Sequence, residues 1–413
     1  MPETGSPSLI RAGRPERAIP VQAAWPAAML AAAFGCLQPA IDPVFLTLLS
    51  EAGPVPLGAH GLIVGGTQAG AAIGALGVWR FGHRLPGGVF LTAAALACLA
   101  SLLTATSIAL VPVFLLRFGY GAAMGMVFAR AMGLCAAQRP NGAYGGMFVL
   151  QLLLATLVSL ALPALAAALG PRAALALLSL APAAAGGALM LTERGTMAAG
   201  QLAELKSPEP AARVPPAGWA LAAATFCFVA GTMLVWSFAG ALAAEAGIAE
   251  SVIGEAVALG SLVGAATALA VMRERVILPL PATALLAAFM LASPVLLTAS
   301  GKPFPFIVSM IFLNIGSTAM IVRCSGLATA TSRDARFRTL VACTHSLGMI
   351  AGPAAGSALI AGFGNHGLLG GVTVILAAGL LAVLFAAKRG VGRGTLLAGP
   401  RQKFSSPNSR QSA

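Results

Sequence analysis

Apolar segments long enough to cross a lipid bilayer recur along the whole sequence. Residues 87–106, for example, contain no charged side chain. A helix needs about 20 apolar residues to span the hydrocarbon core, whereas a barrel strand needs about 10 alternating ones. Charged residues make up 9% of the chain and the mean hydropathy is +0.89, while soluble domains contain about 25% charged residues. The chain cannot cover itself with a polar surface, so we predict an all-α integral membrane protein.

Twelve of these segments are predicted to be transmembrane helices. Their high content of Ala, Gly and Leu suits helices that pack closely through small residues. The six cysteines lie in or beside apolar segments and form no Cys-x-x-Cys pair, so we expect neither a disulfide framework nor a metal site. The predicted helices are residues 22–50, 60–79, 87–106, 108–130, 145–169, 171–191, 217–243, 250–271, 280–300, 303–325, 337–362 and 366–387.

Positive charges are distributed unevenly between the loops. The chain has 25 Lys and Arg against 12 Asp and Glu, a net charge of +13. Most basic residues lie in the two tails, the central loop and every second loop, whereas the other loops contain Arg172 and Lys302. Because loops rich in Lys and Arg stay in the cytoplasm, both termini and the central loop are predicted to be cytoplasmic. We therefore expect a multi-pass cell-membrane protein, of the bacterial inner-membrane type, and no nucleic-acid partner.

A polar segment near the middle of the chain divides the predicted helices six plus six. Its prolines argue against a continuous helix and indicate a linker. We predict a parallel repeat, with its axis along the membrane normal, because each half has an even number of helices. The predicted domains are a cytoplasmic tail (1–21), a six-helix bundle (22–191), the cytoplasmic linker (192–216), a second six-helix bundle (217–387) and a basic cytoplasmic tail (388–413).

Two short patterns recur in the second half and support this duplication. "RAMGLCAA" from Arg130 is similar to "RCSGLATA" from Arg323. One isoleucine and two glycines also recur at the same spacing: Ile63, Gly70 and Gly74 match Ile253, Gly260 and Gly264.

Twelve helices in two parallel halves with a cytoplasmic linker resemble the major facilitator superfamily (MFS). Three motifs add to the resemblance. "RFGHR", with Arg80, Gly82 and Arg84, is similar to the family's R-x-G-R-R turn, although Trp79 replaces the usual acidic residue before it. "RFGYG" from Arg117 is similar to R-x-x-Q-G, and "GMIAGPAAG" (348–356) fits G-x-x-x-G-P-x-x-G. The resemblance implies two bundles around a central cavity, with helices 1 and 4 as neighbours beside it.

Arg117 lies near the middle of predicted helix 4, where a charge is costly and usually faces a partner or a water-filled cavity. It lies about 14 Å below the outer end of its helix, and Asp42 of helix 1 lies about 12 Å below its own. We predict that Asp42 and Arg117 form an intramembrane pair, or the two ends of a polar network through Gln38 or Gln68. Two interpretations stay open: a permanent structural ion pair, or a site where Asp42 exchanges a proton and Arg117 tunes it or binds solute.

Four further polar residues are candidates for proton coupling or substrate binding: Glu255, Asn314, Arg323 and His345. Glu255 lies near the outer end of its helix, where water can reach it. Arg323, like Arg130, can extend to the cytoplasmic headgroups. His345 is interpreted as a helix-packing residue with a backbone partner, and a protonation switch is the alternative.

Small residues one helical turn apart recur in predicted helices 2, 8 and 11. They let helix backbones approach each other, so we assign them to packing between the halves and to gating rather than to ligand contact. Prolines beside Asp42 and in helix 11 favour bends. The set is Gly70, Gly74, Gly260, Gly264, Gly348, Gly352, Pro353 and Gly356.

The sequence contains no catalytic triad, metal-ligand cluster or phosphate-binding loop. We therefore predict neither an enzyme nor an ATP-driven pump, and expect no cofactor. We predict secondary active transport of a small organic solute by alternating access, coupled to protons, by a monomer in the bilayer. The balance of buried charge is positive, which favours an anionic or zwitterionic solute, and the scarcity of Trp and Tyr argues against a sugar. The alternative is a non-transporting receptor or assembly factor on a transporter-derived scaffold.

Overall fold

The computed structural model describes residues 21–53, 55, 60–107, 109–138, 140–198, 214–272 and 278–390. Most of both predicted tails, and the linker from 199 to 213, lie outside these residues. All regular structure in the described residues is helical. Their α-helices, labelled α1 to α13 in chain order, are Val21–Gly35, Gln38–Ala52, His60–Phe81, Gly87–Thr106, Leu110–Gln138, Pro140–Leu169, Pro171–Leu177, Leu180–Ala198, Pro216–Glu245, Glu250–Met272, Leu280–Leu297, Pro303–Ala330 and Ala335–Lys388.

The described helices identify a multi-pass membrane protein. Ten segments among them are long and apolar enough to cross a membrane, and a shorter apolar helix, Trp25–Gly35, precedes them. Large apolar side chains lie on the outer surface of the helices, as at Leu160 on α6, which is 72% exposed. Water would disfavour such a surface, whereas lipid tails solvate it.

The first predicted helix is divided into α1 and α2. α1 ends at Gly35, and α2 begins at Gln38 with Pro39 in its first turn. Proline has no N–H and fits the first turn of a helix, so a new helix starts here. The N–H of Ala40 bonds the carbonyl of Leu37 at 3.1 Å. The carbonyl of Cys36 is therefore left for a side-chain donor.

The sixth predicted helix differs from the prediction at both its middle and its end. Leu178 and Ser179 form a turn that separates α7 from α8. α8 continues to Ala198, beyond the predicted end at 191. The polar residues after 191 have partners that keep them helical, since the hydroxyl of Thr192 donates to the carbonyl of Ala188 at 2.9 Å.

The last two predicted helices are contiguous in α13 and meet at Gly364. This residue has φ 62° and ψ −153°, a positive φ that glycine adopts without steric cost. Pro353 lies inside the helical part of α13. Helical geometry is therefore lost at Gly364. It is not lost at Pro353, where we expected a bend.

Helices before and after residues 199–213 pack in matching ways. We call α1–α8 the first set and α9–α13 the second set. α3 and α4 pack on α5, as α10 and α11 pack on α12, while α1 packs on α5 and α8, as α9 packs on α12 and α13. The two sets meet through α6 with α10 and through α3 with α13. The matched contacts support the duplication seen in the sequence.

The glycine pattern brings helices of the same set together. A Cβ at Gly70 would lie 2.9 Å from the backbone N of Ala122 on α5, and one at Gly260 would lie 2.9 Å from the carbonyl O of Met310 on α12. Both distances are too short, so side chains are excluded at these helix contacts. Gly74 meets α5 in the same way, whereas a Cβ at Gly264 would lie 3.3 Å from Oδ1 of Asn314 on α12 and 3.4 Å from Cδ1 of Leu152 on α6. The expectation that these glycines pack between the halves is therefore wrong for Gly70, Gly74 and Gly260, while Gly264 also meets the other half through Leu152.

The glycines of α13 face α9, in the same set. Cβ atoms at these positions would lie against Val229 (Gly348), Leu234 and Met233 (Gly352) and the ring of Phe238 (Gly356). The assignment of these glycines to helix contacts agrees with this geometry, but their partner helix again belongs to the same half of the chain.

The two ends of the molecule differ in charge. Arg80 lies in the last turn of α3 and Arg84 in the loop after it. This loop meets the start of α13, where Nη2 of Arg336 lies 3.3 Å from Nε2 of His83. We call this the linker end, because α8 leaves it and α9 returns to it. At the opposite end, Nε of Arg172 donates to the carbonyl of Ala52 at 3.1 Å.

The loop after α3 is built around a tight turn. The N–H of Gly82 donates to the carbonyl of Val78 at 2.7 Å, and a Cβ on Gly82 would lie 3.0 Å from Cγ1 of Val78. Glycine is therefore needed at the centre of the Arg80–Gly82–Arg84 motif. Loss of hydration and then the positive charge of Arg336 lower the pKa of His83 in this loop. The neutral ring is thereby favoured, and its Nε2 can then accept a hydrogen bond from Arg336.

Candidate functional site

A cavity of about 100 Å³ lies at mid-depth between the two sets of helices. The first set contributes residues of α2 and α6, and the second set contributes α9, α10, α12 and α13. Among the described residues that line it, none is Asp, Glu, Lys or Arg. Its polar lining residues are Gln151, Thr232, Trp236, Ser261, Asn314, Ser317, Thr318 and His345. The cavity therefore offers neutral hydrogen-bonding groups on an apolar wall, as ligand sites commonly do.

Gln151 connects this cavity to the break between α1 and α2. Its Nε2 donates to the free carbonyl of Cys36 at 2.8 Å. Its Oε1 is buried without a hydrogen-bond partner. Buried polar atoms are nearly always hydrogen-bonded. We therefore expect a molecule in the cavity to donate a hydrogen bond to Oε1 of Gln151.

Asn314 provides the corresponding amide from the second set. Its Nδ2 donates to the carbonyl of Met310 on its own helix at 2.9 Å, and its side chain lies against Gly260 and Gly264 of α10. The two glycines leave the space that the amide occupies. Asn314 lines the cavity, as the prediction of a binding role requires.

His345 lines the same cavity and bridges the two sets. Its Nε2 lies 3.4 Å from Sγ of Cys36. The ring stands edge-on to Phe148 at 5.6 Å between centroids and is tilted against Phe128 at 5.9 Å. The prediction of a backbone partner for His345 is wrong, because its Nε2 contacts the thiol of Cys36, which belongs to the first set.

Asp42 is bound by Gln38 rather than by an arginine. Nε2 of Gln38 donates to Oδ1 of Asp42 at 2.7 Å, one turn away on α2, and Asp42 is 7% exposed. A smaller cavity, about 20 Å³, is lined by Gln38, Gln68 and Tyr120 among others. Gln38 therefore joins Asp42 to a polar space beside the central cavity.

Arg117 is held by aromatic rings. Its Cζ lies 4.1 Å from the centroid of Tyr120 and 4.5 Å from that of Phe45, a geometry in which ring faces stabilise a cation. The side chain is 1% exposed, and its Nε and Nη2 have no hydrogen-bond partner. No ion pair within 4.0 Å joins Arg117 to Asp42 in the described structure. The predicted ion pair between Asp42 and Arg117 is absent from the described residues. Gln38 bonds Asp42 but forms no hydrogen bond with Arg117.

The other charged candidates lie away from the central cavity. Glu255 is exposed on α10. Arg323 donates to the carbonyl of Leu278 at 3.0 Å and to the hydroxyl of Thr283, so it secures the start of α11. Nη2 of Arg130 lies 3.0 Å from Oε1 of Glu193 on α8, so Arg130 has an ion-pair partner within the first set.

The sequence analysis did not select two residues of the cavity, Gln151 and Trp236, although each has a feature that is visible in the sequence. Gln151 has the only amide or charged side chain in predicted helix 5 (145–169). Trp236 is one of four tryptophans and lies in the middle of α9. An amide within an otherwise apolar membrane helix is costly unless it has a use, so the argument applied to Arg117 would have found Gln151.

The fold is similar to that of the MFS proton:xylose symporter XylE bound to 6-bromo-6-deoxy-D-glucose, with a TM-score of 0.62. The match covers 89% of this chain and 94% of that one at 14% sequence identity. No family model and no curated protein matches the sequence. The chain therefore has an MFS-like fold, as its motifs predicted.

Proposed function

We propose that the protein is a secondary active transporter that moves a small solute by alternating access. The observation that carries this proposal is the mid-depth cavity between two similar sets of helices, with an unpaired acceptor on Gln151. Rocking of one set against the other would expose such a site to each side in turn. A receptor or assembly factor needs no exchange between the sides, so transport assays separate the two hypotheses.

We infer that the solute is neutral and carries hydroxyl or amide donors. The charge balance of the sequence favoured an anion or zwitterion, but the described cavity lining contains no charged side chain to bind one. The acceptor of Gln151 requires a donor, and Trp236 supplies an aromatic face. The similar XylE is named as a xylose symporter, so sugars and polyols belong first in the panel, although the scarcity of aromatic residues argued against them.

Energy coupling is assigned to Asp42, with Arg117 nearby as the permanent charge. Asp42 lies outside the central cavity but reaches the smaller cavity through Gln38. A carboxyl there can exchange a proton with water that enters beside the solute, and a neighbouring cation favours its ionised form. The solute and the proton would then use adjoining spaces.

We propose twelve membrane crossings in two bundles. α1 with α2 and α7 with α8 each make one crossing, α13 makes two about Gly364, and the other helices make one each. Both termini and the linker are then cytoplasmic, since the linker end carries Arg80 and Arg84.

Reporter fusions test this topology directly. Fusions within residues 199–213 and after residue 390 should both report the cytoplasm, and one in the 246–249 loop should report the outside. A fusion within residues 273–277 serves as a further cytoplasmic control. An external signal from residues 199–213 would overturn the arrangement of six crossings before and six after the linker.

Uptake into proteoliposomes tests transport and the solute class. We expect a neutral hydroxylated or amide solute to accumulate when a pH gradient is imposed and to equilibrate without one. Gln151→Leu should raise KM about tenfold, the equivalent of one hydrogen bond of about 1.4 kcal/mol. Thr156→Val is the matched control, because its hydroxyl donates to the carbonyl of Leu152 on its own helix. No uptake of any solute would favour the receptor, and selective uptake of anions would overturn the neutral class.

A further inference from the structure

We propose that Cys36, His345 and Met349 form a binding site for a soft monovalent metal ion of the Cu(I) type, which ties the two sets of helices together. Cys36 belongs to the first set, at the break between α1 and α2, and the other two residues belong to α13. Residues 36 and 345 are 309 positions apart, so the sequence spacing gave no sign of this site. It borders the proposed solute and proton sites, because His345 lines the central cavity and Cys36 lines the smaller one.

The distance between the thiol and the imidazole fits two ligands on one ion. Typical metal bonds of about 2.3 Å to sulfur and about 2.05 Å to nitrogen, at a tetrahedral angle, place the two atoms about 3.6 Å apart. Sγ of Cys36 lies 3.4 Å from Nε2 of His345. The pair therefore needs little movement to bind an ion.

The surroundings fix both ligands in place. Gln151 holds the carbonyl of Cys36 at 2.8 Å, and Phe128 and Phe148 pack against the His345 ring. Ligands positioned in this way lose little freedom when the ion binds.

Met349 adds a thioether beside the pair. It lies one helical turn after His345, and residues four apart share a helix face. It lines the smaller cavity together with Cys36 and the central cavity together with His345. Met349 is thus the residue common to the spaces that Cys36 and His345 line. Thiolate and thioether ligands select soft ions.

Charge balance favours a monovalent ion. Binding transfers the thiol proton of Cys36 to water, and one thiolate then neutralises one positive charge without any change of oxidation state. No Asp or Glu is among the described residues that line either cavity. A divalent ion would leave a net positive charge at membrane depth, which is costly.

Titration of the detergent-solubilised full chain with Cu(I), under reducing conditions and against a colorimetric Cu(I) chelator, tests the site without reference to transport. We expect one ion per chain, and little binding of Zn²⁺ or Mg²⁺. Removing an outer-shell residue of a metal site costs about 10–100-fold in affinity, so Cys36→Ser and His345→Asn, which remove ligands, should each cost at least about 100-fold. Met349→Leu should cost about tenfold.

Cys227→Ser and Met320→Leu are matched controls outside both cavities and should bind Cu(I) as the unmodified protein does. Thermal unfolding of each variant without metal shows whether the variant is folded. Absence of stoichiometric binding, or unchanged binding by folded His345→Asn, would overturn the site. Loss of binding in the Cys227 control would place it elsewhere. Transport, if present, should be blocked by Cu(I) in the unmodified protein and not in Cys36→Ser.

Discussion

Asp42→Asn should reduce uphill uptake at least tenfold, a rate effect of at least about 1.4 kcal/mol, while downhill exchange of solute remains. The amide keeps the size of the side chain and can still bond Gln38, but it cannot carry a proton. Uptake driven by an imposed pH gradient, compared with exchange at equal pH, measures the difference. Glu51→Gln is the matched control, because Glu51 is exposed on the same helix.

Arg117→Gln should impair transport as well, because Phe45 and Tyr120 enclose a cation and would then enclose an amide. The variant Arg117→Lys tests whether the positive charge alone is sufficient or the planar guanidinium group is also needed. Lysine keeps the charge but lacks the planar group that stacks on rings, so it should recover only part of the activity.

The double variant Asp42→Asn/Arg117→Gln decides between a structural and a functional role. It should unfold at a higher temperature than either single variant, because no isolated charge remains in the membrane. Coupling between groups in one network amounts to about 0.5–3 kcal/mol, and the low end is expected since no direct ion pair is present. If the double variant still accumulates solute in response to pH, Asp42 is not the coupling group and Glu255 is the next residue to test. If both single variants transport normally, the assignment is wrong.

Gly352→Leu should greatly reduce the yield of folded protein. A Cβ at this position would lie 2.7 Å from the backbone N of Leu234 and 3.0 Å from Cβ of Met233, so α13 must move away from α9. Overpacking costs about 1–3 kcal/mol where side chains can yield, and here a backbone atom blocks the space. Size-exclusion profiles and thermal unfolding in detergent measure the loss, and Gly352→Ala should show a smaller one.

Gly370→Leu is the matched control, since it lies on the same helix with nothing within 4 Å of its Cβ position. It should fold as the unmodified protein does. Whatever Gly352→Leu protein survives should keep its solute preference. A clean change of solute would instead place Gly352 at the binding site.

The sequence determined that this chain is a helical membrane protein, because the length and hydrophobicity of a segment decide whether it can span the bilayer as a helix. Both are local properties of the segment. It also determined that glycines such as Gly70 and Gly260 pack against other helices, since only a missing side chain explains small residues at that spacing. The burial of Asp42 and Arg117 followed in the same way from the cost of charge in an apolar segment.

Only the tertiary structure decided which residues meet. Most of the glycines, Gly70 and Gly352 among them, contact helices of their own set. Arg130 pairs with Glu193, and Gln38 lies beside Asp42 where Arg117 was expected. The approach of Cys36 to His345 depends on the interruption before Pro39 and on the packing of α13, two features far apart in the chain. The physical reason is that partner choice depends on helix rotation and depth, which many weak contacts set together and no single segment encodes.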